Sequence, residues 1–336
     1  MVTKLLIRSQ VPDAQWDLFI AQSQQRIVYA YSWYLDTVCD DWHAFVWPSA
    51  EDFQIVMPVP IKRKVGFKVV QQPLFCQYLG IFSRNELLSD QVNLFLHALF
   101  REFSYISTYS FSPHNHTILS PILSRFPALN PVLNHTFWLN LNHSEKIRSE
   151  YSLSRRSNLR QSAKFGWEPI RNSLDMEPII NLFRSNHALG IQGGVDEKAY
   201  VLLSRLFEKL IEKQCAELCY AGLNNDIHAG CLFVREGNTT IYLFNAADDT
   251  GRKYHARTYL LDKYFARQAG SHLIFDFESP EIRSIASFYE SFGAAKIPFI
   301  SIRQNNLPFP LKLIHRLKHY FFTKTRQGLS AILCMI

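Results

Sequence analysis

The chain has 336 residues, 47% hydrophobic, 14% aromatic and 19% charged, which gives two ordinary domains enough core and excludes intrinsic disorder. Its formal charge of +7 is uneven: residues 1–150 hold 12 Lys/Arg and 12 Asp/Glu, whereas residues 151–336 hold 24 and 17. A diffuse basic face for non-specific nucleic-acid binding is thereby excluded, leaving two local patches: Leu153–Gly166 with four cations, and the tail from Gln304 with five.

The N-terminal stretch MVTKLLIRSQVPDAQWDLF has no long apolar run and no small-residue cleavage site, so no signal peptide is expected. No segment reaches the roughly 18 apolar residues of a spanning helix. Six cysteines are scattered along the chain. Cys215 and Cys219 fall in the strand-like run AELCYAGL with no second pair at zinc-ribbon spacing, so buried reduced thiols, no metal and a cytoplasmic location are expected.

The first half predicts strands near HAFVW, FQIVMPVPIK and PLFCQYLGIF, then a long helix over LLSDQVNLFLHALFREF. A strand YISTYSFS, a helical turn TILSPILSRF and a strand NHTFWLNL follow. The second half opens with the basic helix LSRRSNLRQSAKFG and a short strand GWEPIRN. Two helices around DMEPIINLFRSNHAL and EKAYVLLSRLFEKLIEKQ come next, their apolar residues three and four apart. Strands AELCYAGLN, IHAGCLFVRE and TTIYLFNAA are joined by the turn-forming LNNDI and REGNTT. A helix HARTYLLDKYFARQAG, a strand HLIFDFE, a helix EIRSIASFYESFG and a strand KIPFISIR complete the order. The two halves repeat one sequence of elements, and both closing helices end at a Phe before a breaker, Phe126-Pro127 and Phe292-Gly293. This reads as an internal duplication. Domains are expected over residues 1–145 and 146–303, followed by a basic amphipathic tail over 304–336.

Three stretches hold candidate chemistry. With Ser154 as N-cap, Arg156, Arg160 and Lys164 recur every four residues and share a helix face. No acid stands at i±4 within the helix, so this row suits phosphates or carboxylates better than a solvated face laced with local ion pairs. In IFDFES, strand alternation puts Asp276 and Glu278 on one face, at the carboxyl end of a strand, where one can accept an amine proton. The plainer alternative is a helix cap and a local ion pair. His187 and His228 are weaker candidates, and PHNHT lacks a third metal ligand. In the tail, Leu311, Ile314, Leu317 and Phe321 share a stripe beside Lys312, Arg316 and His319, a pattern for an anionic membrane surface or for packing on the second domain.

The order of elements, LSRRSNLRQSAKFGWE, PLFCQYLGIF and IASFYESFGAAKIPF together resemble the GNAT acyltransferase superfamily, in its tandem-domain, FemABX-like branch, over about residues 10–303. The resemblance implies an α/β protein of tandem duplicated GNAT-like domains with mixed central sheets, and an N-acyltransferase moving an acyl group from a thioester donor, acyl-CoA, to an amine on a small molecule or peptide. It implies carbonyl polarisation around Asn245 and Ala246, and Tyr289 as proton donor where Fem-like enzymes often have Lys; packing alone is the other role open to Tyr289. The family's Gly-rich phosphate loop is represented by ADDTGRKYHART, with Gly251, Arg252, Lys253 and Arg257 as donor-binding candidates and His255-Ala256 where a Gly pair is expected. Two further readings stay open: a FemABX-like aminoacyl transferase using aminoacyl-tRNA and a cell-wall precursor, and a non-catalytic GNAT-fold binding protein.

Overall fold

The computed structural model describes residues 2–64, 67–142, 147–191, 194–278 and 282–308. In chain order the first part contains β1 (Lys4–Ile7), α1 (Asp13–Gln22), α2 (Ser32–Val38), β2 (Asp41–Pro48), β3 (Phe53–Lys64), β4 (Phe67–Gln71), β5 (Phe82–Ser83), α3 (Ser89–Glu102), β6 (Tyr105–Phe111), α4 (Pro113–Leu123) and β7 (Val132–Asn140). The second part contains α5 (Ile147–Glu150), α6 (Leu153–Phe165), β8 (Glu168–Ile170), α7 (Glu177–Asn186), α8 (Glu197–Glu212), β9 (Ala216–Leu223), β10 (Asp226–Glu236), β11 (Thr239–Ala247), α9 (Asp249–Lys253), α10 (Ala256–Gln268), β12 (Ile274–Asp276), α11 (Arg283–Glu290) and β13 (Ala295–Asn305).

The chain divides into two compact units, one of residues up to His135 together with the segment from Pro298, the other Thr136–Ile297. Their sheets share a plan. In the first the order is β1-β2-β3-β4-β6-β13, with β5 beside β3. Strands β1 to β4 run antiparallel, β6 lies parallel to β4, and β13 returns antiparallel with Ile300 opposite Phe111. In the second the order is β8-β9-β10-β11-β12-β7, again antiparallel to β11, parallel at β12 and antiparallel at β7, where Asp276 faces Trp138. Each sheet is therefore closed by a strand from the far half of the sequence. The expected division near residue 145 assigned NHTFWLNL to the first unit and KIPFISIR to the second; contacts divide the chain inside both strands. Their apolar patterns are alike, and nothing in such a pattern selects the partner.

Two local expectations are corrected. PLFCQYLGIF is not one strand: only its last residue, Phe82, lies in a strand, β5, and the longer ladder lies earlier, at Phe67–Gln71, because Pro73 lacks an N–H and Phe75 turns the chain at φ 57°. Helix α6 is capped by Ser152, whose Oγ accepts the Arg155 N–H at 3.1 Å, and it stops at the left-handed Gly166.

Within the second unit β10 and β11 are buried along most of their length and read as near-continuous apolar runs. Helix α7 lays Ile179, Ile180 and Phe183 against one face, where Phe183 meets Phe244 at 5.0 Å. Helix α10 covers the other, packing Phe265 on Phe275 and Tyr264 on Phe233. A bulge at Leu243, where Leu232 pairs with Phe244 but Phe233 with Tyr242, reverses the alternation of β11. Tyr242 and Asn245 consequently both serve the α10 face, and Phe244 the α7 face.

Candidate functional site

Strands β11 and β12 pair over only three residues, ending at Ile241 opposite Asp276. Beyond that point the chain parts from β11, while the Phe277 N–H still donates to the Phe137 carbonyl of β7 at 2.9 Å. The Asp276 carboxylate accepts the Glu278 N–H at 2.9 Å, the donor that would extend the ladder, and the Thr136 hydroxyl at 2.5 Å. Glu278 takes φ 63° and is buried beside it. Asp276 and Glu278 are thus not two rungs of one strand face, since the strand stops at the first of them. Strand β11 continues to Ala247 with no β12 residue opposite. Asn245 and Ala246 lie on this stretch, both buried, with their backbone along the opening.

Tyr289 comes to the α10 face from α11. Its ring is 5% exposed and stacks on Phe277 at 4.6 Å, with Phe137 at 6.0 Å. Nearby, the Tyr242 hydroxyl and the Cys231 thiol are 3.4 Å apart. Burial, reinforced by the thiol, pushes the Tyr242 phenol well above its ordinary value, against the pull of Arg257.

The turn after β11 is closed on itself. Asp248 caps α9, accepting the Gly251 N–H at 2.7 Å through Oδ1 and meeting His228 Nδ1 at 2.8 Å through Oδ2. The Arg252 and Tyr254 N–H groups donate to the Asp248 and Thr250 carbonyls. Gly251 is required sterically, because a Cβ there would stand 2.2 Å from the His228 carbonyl oxygen. Arg252 donates to the Ala247 carbonyl at 2.6 Å and pairs with Asp249, while the Lys253 ammonium lies over the Tyr254 ring. His255, at φ 58°, supplies the left-handed turn into α10 that a glycine would ordinarily make. From the first turn of α10, Arg257 donates to Asn245 Oδ1 at 2.6 Å.

Of the basic row foreseen on α6, Arg160 and Lys164 are exposed. Arg156 is half-buried, its Nε sealed from solvent with no hydrogen-bond partner among the described residues. The deeply buried cation is instead Arg155, 6% exposed, donating to Ser291 Oγ at 2.8 Å and Thr258 Oγ1 at 2.6 Å. Burial, then repulsion from Arg257, lowers its pKa to about 10. His187, one of the weaker candidates, stands at the end of α7: its Nε2 lies 3.2 Å from the Ala247 nitrogen and 3.1 Å from the Ala247 oxygen, at the edge of the opening. Burial, then Arg257 and Arg252, lowers its pKa to about 4, so the ring is neutral. A charge-dense helix start was legible for Arg155, but its partners lie more than 100 residues away. Among the described residues no group of three His, Cys, Asp or Glu can hold a metal, and no helix is long and apolar enough to cross a membrane. The tail pattern from Leu311 lies outside the described residues.

Among solved structures, FemX superposes with a TM-score of 0.61 over 90% of this chain and 98% of that one, at 11% identity. L-PGS from Bacillus licheniformis gives 0.51 over 92% and 96%, at 11% identity. A tandem GNAT protein from the clavulanic acid biosynthesis pathway gives 0.51 over 91% and 99%, at 10% identity. No protein-family profile and no curated protein matches the chain. The likenesses are of fold: this is a mixed α/β chain with the tandem GNAT fold.

Proposed function

We propose that the chain is an N-acyltransferase whose reaction takes place at the opening between β11 and β12. The observation that carries this reading is the parting of the two strands after Ile241 and Asp276: pairing with β12 ends there, while β11 runs on through Asn245 and Ala246 paired with β10 on its other side. A carbonyl seated there is polarised by a backbone N–H already fixed in place, so charge developing on its oxygen meets a preorganised donor. The acceptor amine attacks the carbonyl carbon; the new C–N bond forms as the bond to the leaving oxygen or sulfur breaks. Tyr289 is assigned the proton that the leaving group takes up, and Glu278 the proton that the amine loses. Asp276 holds the end of β12 through Thr136 and the Glu278 N–H.

Coenzyme A is the donor that the fold family implies. The turn from Asp248 to His255 does not fit its pyrophosphate, because backbone N–H groups of that turn are satisfied by Asp248 and by carbonyls of the turn itself. That closure favours an aminoacyl ester on transfer RNA as donor. The exposed Arg160 and Lys164 then offer contacts to its phosphates, and Arg156 lines the same helix.

Calorimetric titration tests the donor. Coenzyme A and acetyl-CoA are expected to show no saturable binding at millimolar concentration. Transfer RNA is expected to bind, more weakly at 200 mM than at 50 mM salt. Micromolar binding of acetyl-CoA would restore the thioester as donor. The chemistry is tested with hydroxylamine as surrogate acceptor and aminoacyl-tRNA as donor: Tyr289→Phe, which keeps the ring stack, is expected to slow transfer at least tenfold. Unchanged transfer in that variant would return Tyr289 to a packing role.

A further inference from the structure

A single row crosses five strands of the first sheet. Asp41 of β2 faces Ile61 of β3, Ile61 faces Val70 of β4, Val70 faces Ile106 of β6, and Ile106 faces Gln304 of β13. Past that row β3 and β4 run on paired only with each other among the described residues, since β2 begins at Asp41 and β4 meets β6 no earlier than Val70. Their remaining rungs are Lys62 with Val69, Arg63 with Lys68 and Lys64 with Phe67. A two-stranded ribbon therefore projects from this end of the sheet.

The ribbon is cationic. IKRKVGFK, residues 61–68, holds four Lys/Arg and no acid. Val69 is buried and roots the ribbon, whereas Lys62, Arg63 and Lys68 are exposed. Arg63 and Lys68 stand directly opposite each other, an unfavourable pairing of like charges. Asp40 and Asp41 offset part of this charge, but through loose surface contacts, 3.9 Å to Lys62 and 3.5 Å to Arg63. Lys68 forms no ion pair among the described residues.

The basic tail sets out from the same end. Past Gln304, Asn305 pairs with Tyr105 and the Asn306 N–H donates to the Ser104 carbonyl at 2.8 Å, so β13 runs beyond the row on the side where the ribbon projects. It stands two strands from β4, roughly 10 Å away. The sequence from Gln304 onward holds five Lys/Arg and no acid, and Leu311, Ile314, Leu317 and Phe321 recur three and four apart among them. Two basic segments far apart in sequence are thus brought to one end of one sheet by topology. Cations alone would serve a phosphate backbone. Aliphatic residues spaced among the cations favour a surface that offers an apolar medium beneath its charge, which a lipid bilayer has and RNA lacks.

We propose that this end of the first unit docks on an anionic membrane surface, with the ribbon and the tail engaging the lipid headgroups together. Each cation held near an anionic leaflet strengthens binding roughly fivefold. One signal gives only marginal attachment, and stable anchoring takes two. The ribbon supplies charge, and the tail supplies charge with an apolar stripe. None of this depends on the transferase reading, because the readout is binding.

The test is co-sedimentation of the full chain with vesicles of phosphatidylcholine alone, and of phosphatidylcholine with about one-third phosphatidylglycerol, at low salt and at about 500 mM salt. Binding is expected to the anionic vesicles only, and more weakly at high salt. Lys62→Gln with Lys68→Gln changes two exposed side chains; the protein is expected to melt no lower than the parent and to bind vesicles at least about tenfold more weakly. Lys312→Gln with Arg316→Gln is expected to weaken binding likewise, as is Leu317→Asp, which leaves every cation in place. Equal binding to both vesicles, no binding to the anionic ones, or binding unchanged in either folded double variant overturns the proposal. Transfer RNA is the control for a nucleic-acid partner. If the ribbon variant loses transfer RNA while Leu317→Asp leaves vesicle binding intact, the ribbon serves RNA and the proposal falls as well.

Discussion

His187 has been pulled from its ordinary pKa to about 4 by burial and by two neighbouring guanidiniums. Between that value and 6.5 the unfolded chain binds a proton there and the folded chain does not. Stability is therefore full above pH 6.5 and falls as the pH drops toward 4, by up to about 3 kcal/mol. Urea titrations at pH 7 and pH 4.5 should show this loss, and His187→Gln should flatten that limb. Gly251 makes a steric prediction of the same scale. A methyl at that position meets the His228 carbonyl at 2.2 Å, so Gly251→Ala is expected to cost about 1–3 kcal/mol in the same titration, through displacement of backbone. At this scale the sequence was read unevenly. The cationic density of LSRRSNLRQSAKFG was plain, but the four-residue spacing selected Arg156, Arg160 and Lys164. Arg155 is buried because Ser291, Thr258 and two rings receive it, and only the folded chain assembles that set.

A strand of three residues needs something to stop it cleanly, and in β12 that is Asp276. Asp276→Ala would leave a buried hydroxyl and a buried N–H without their acceptor, a loss expected to cost about 2–4 kcal/mol. Asp276→Asn keeps an oxygen acceptor and should cost less, and comparing the two by thermal melts separates the hydrogen bonds from the charge. The helices and most strands of the second unit were legible because their apolar periods are long and regular, as in α8 and β10. The bulge at Leu243 was not. Strict alternation would send Asn245 to the face opposite Tyr242, away from Arg257, and the extra residue is visible only in the pairing register. The segment PLFCQYLGIF was misread for a related reason: apolar content suggested a strand, and Pro73 with the turn at Phe75 forbids one.

The duplication was visible because both halves spell the same order of elements. The exchange of closing strands was hidden, since a strand's sequence encodes its faces and not its neighbour. Fragments test the exchange. Residues 1–145 lack β13, which covers the side of β6 away from β4, and are expected to remain unfolded or to aggregate. Residues 132–297 contain every strand of the second sheet and are expected to unfold cooperatively in urea. A stably folded 1–145 fragment would show that β13 is dispensable to the first sheet.

The exchange also bears on how the protein is made. A ribosome finishes β6 at Phe111, but the strand that covers its edge begins to emerge only roughly 190 residues later, which at about 5–20 residues per second is on the order of ten seconds or more. Throughout that interval the nascent first unit presents an open ladder to its surroundings, while the second unit already has β7 waiting for it. Synthesis in order therefore completes the later half first, and a chaperone that shields exposed sheet edges would act on the earlier half of the nascent chain.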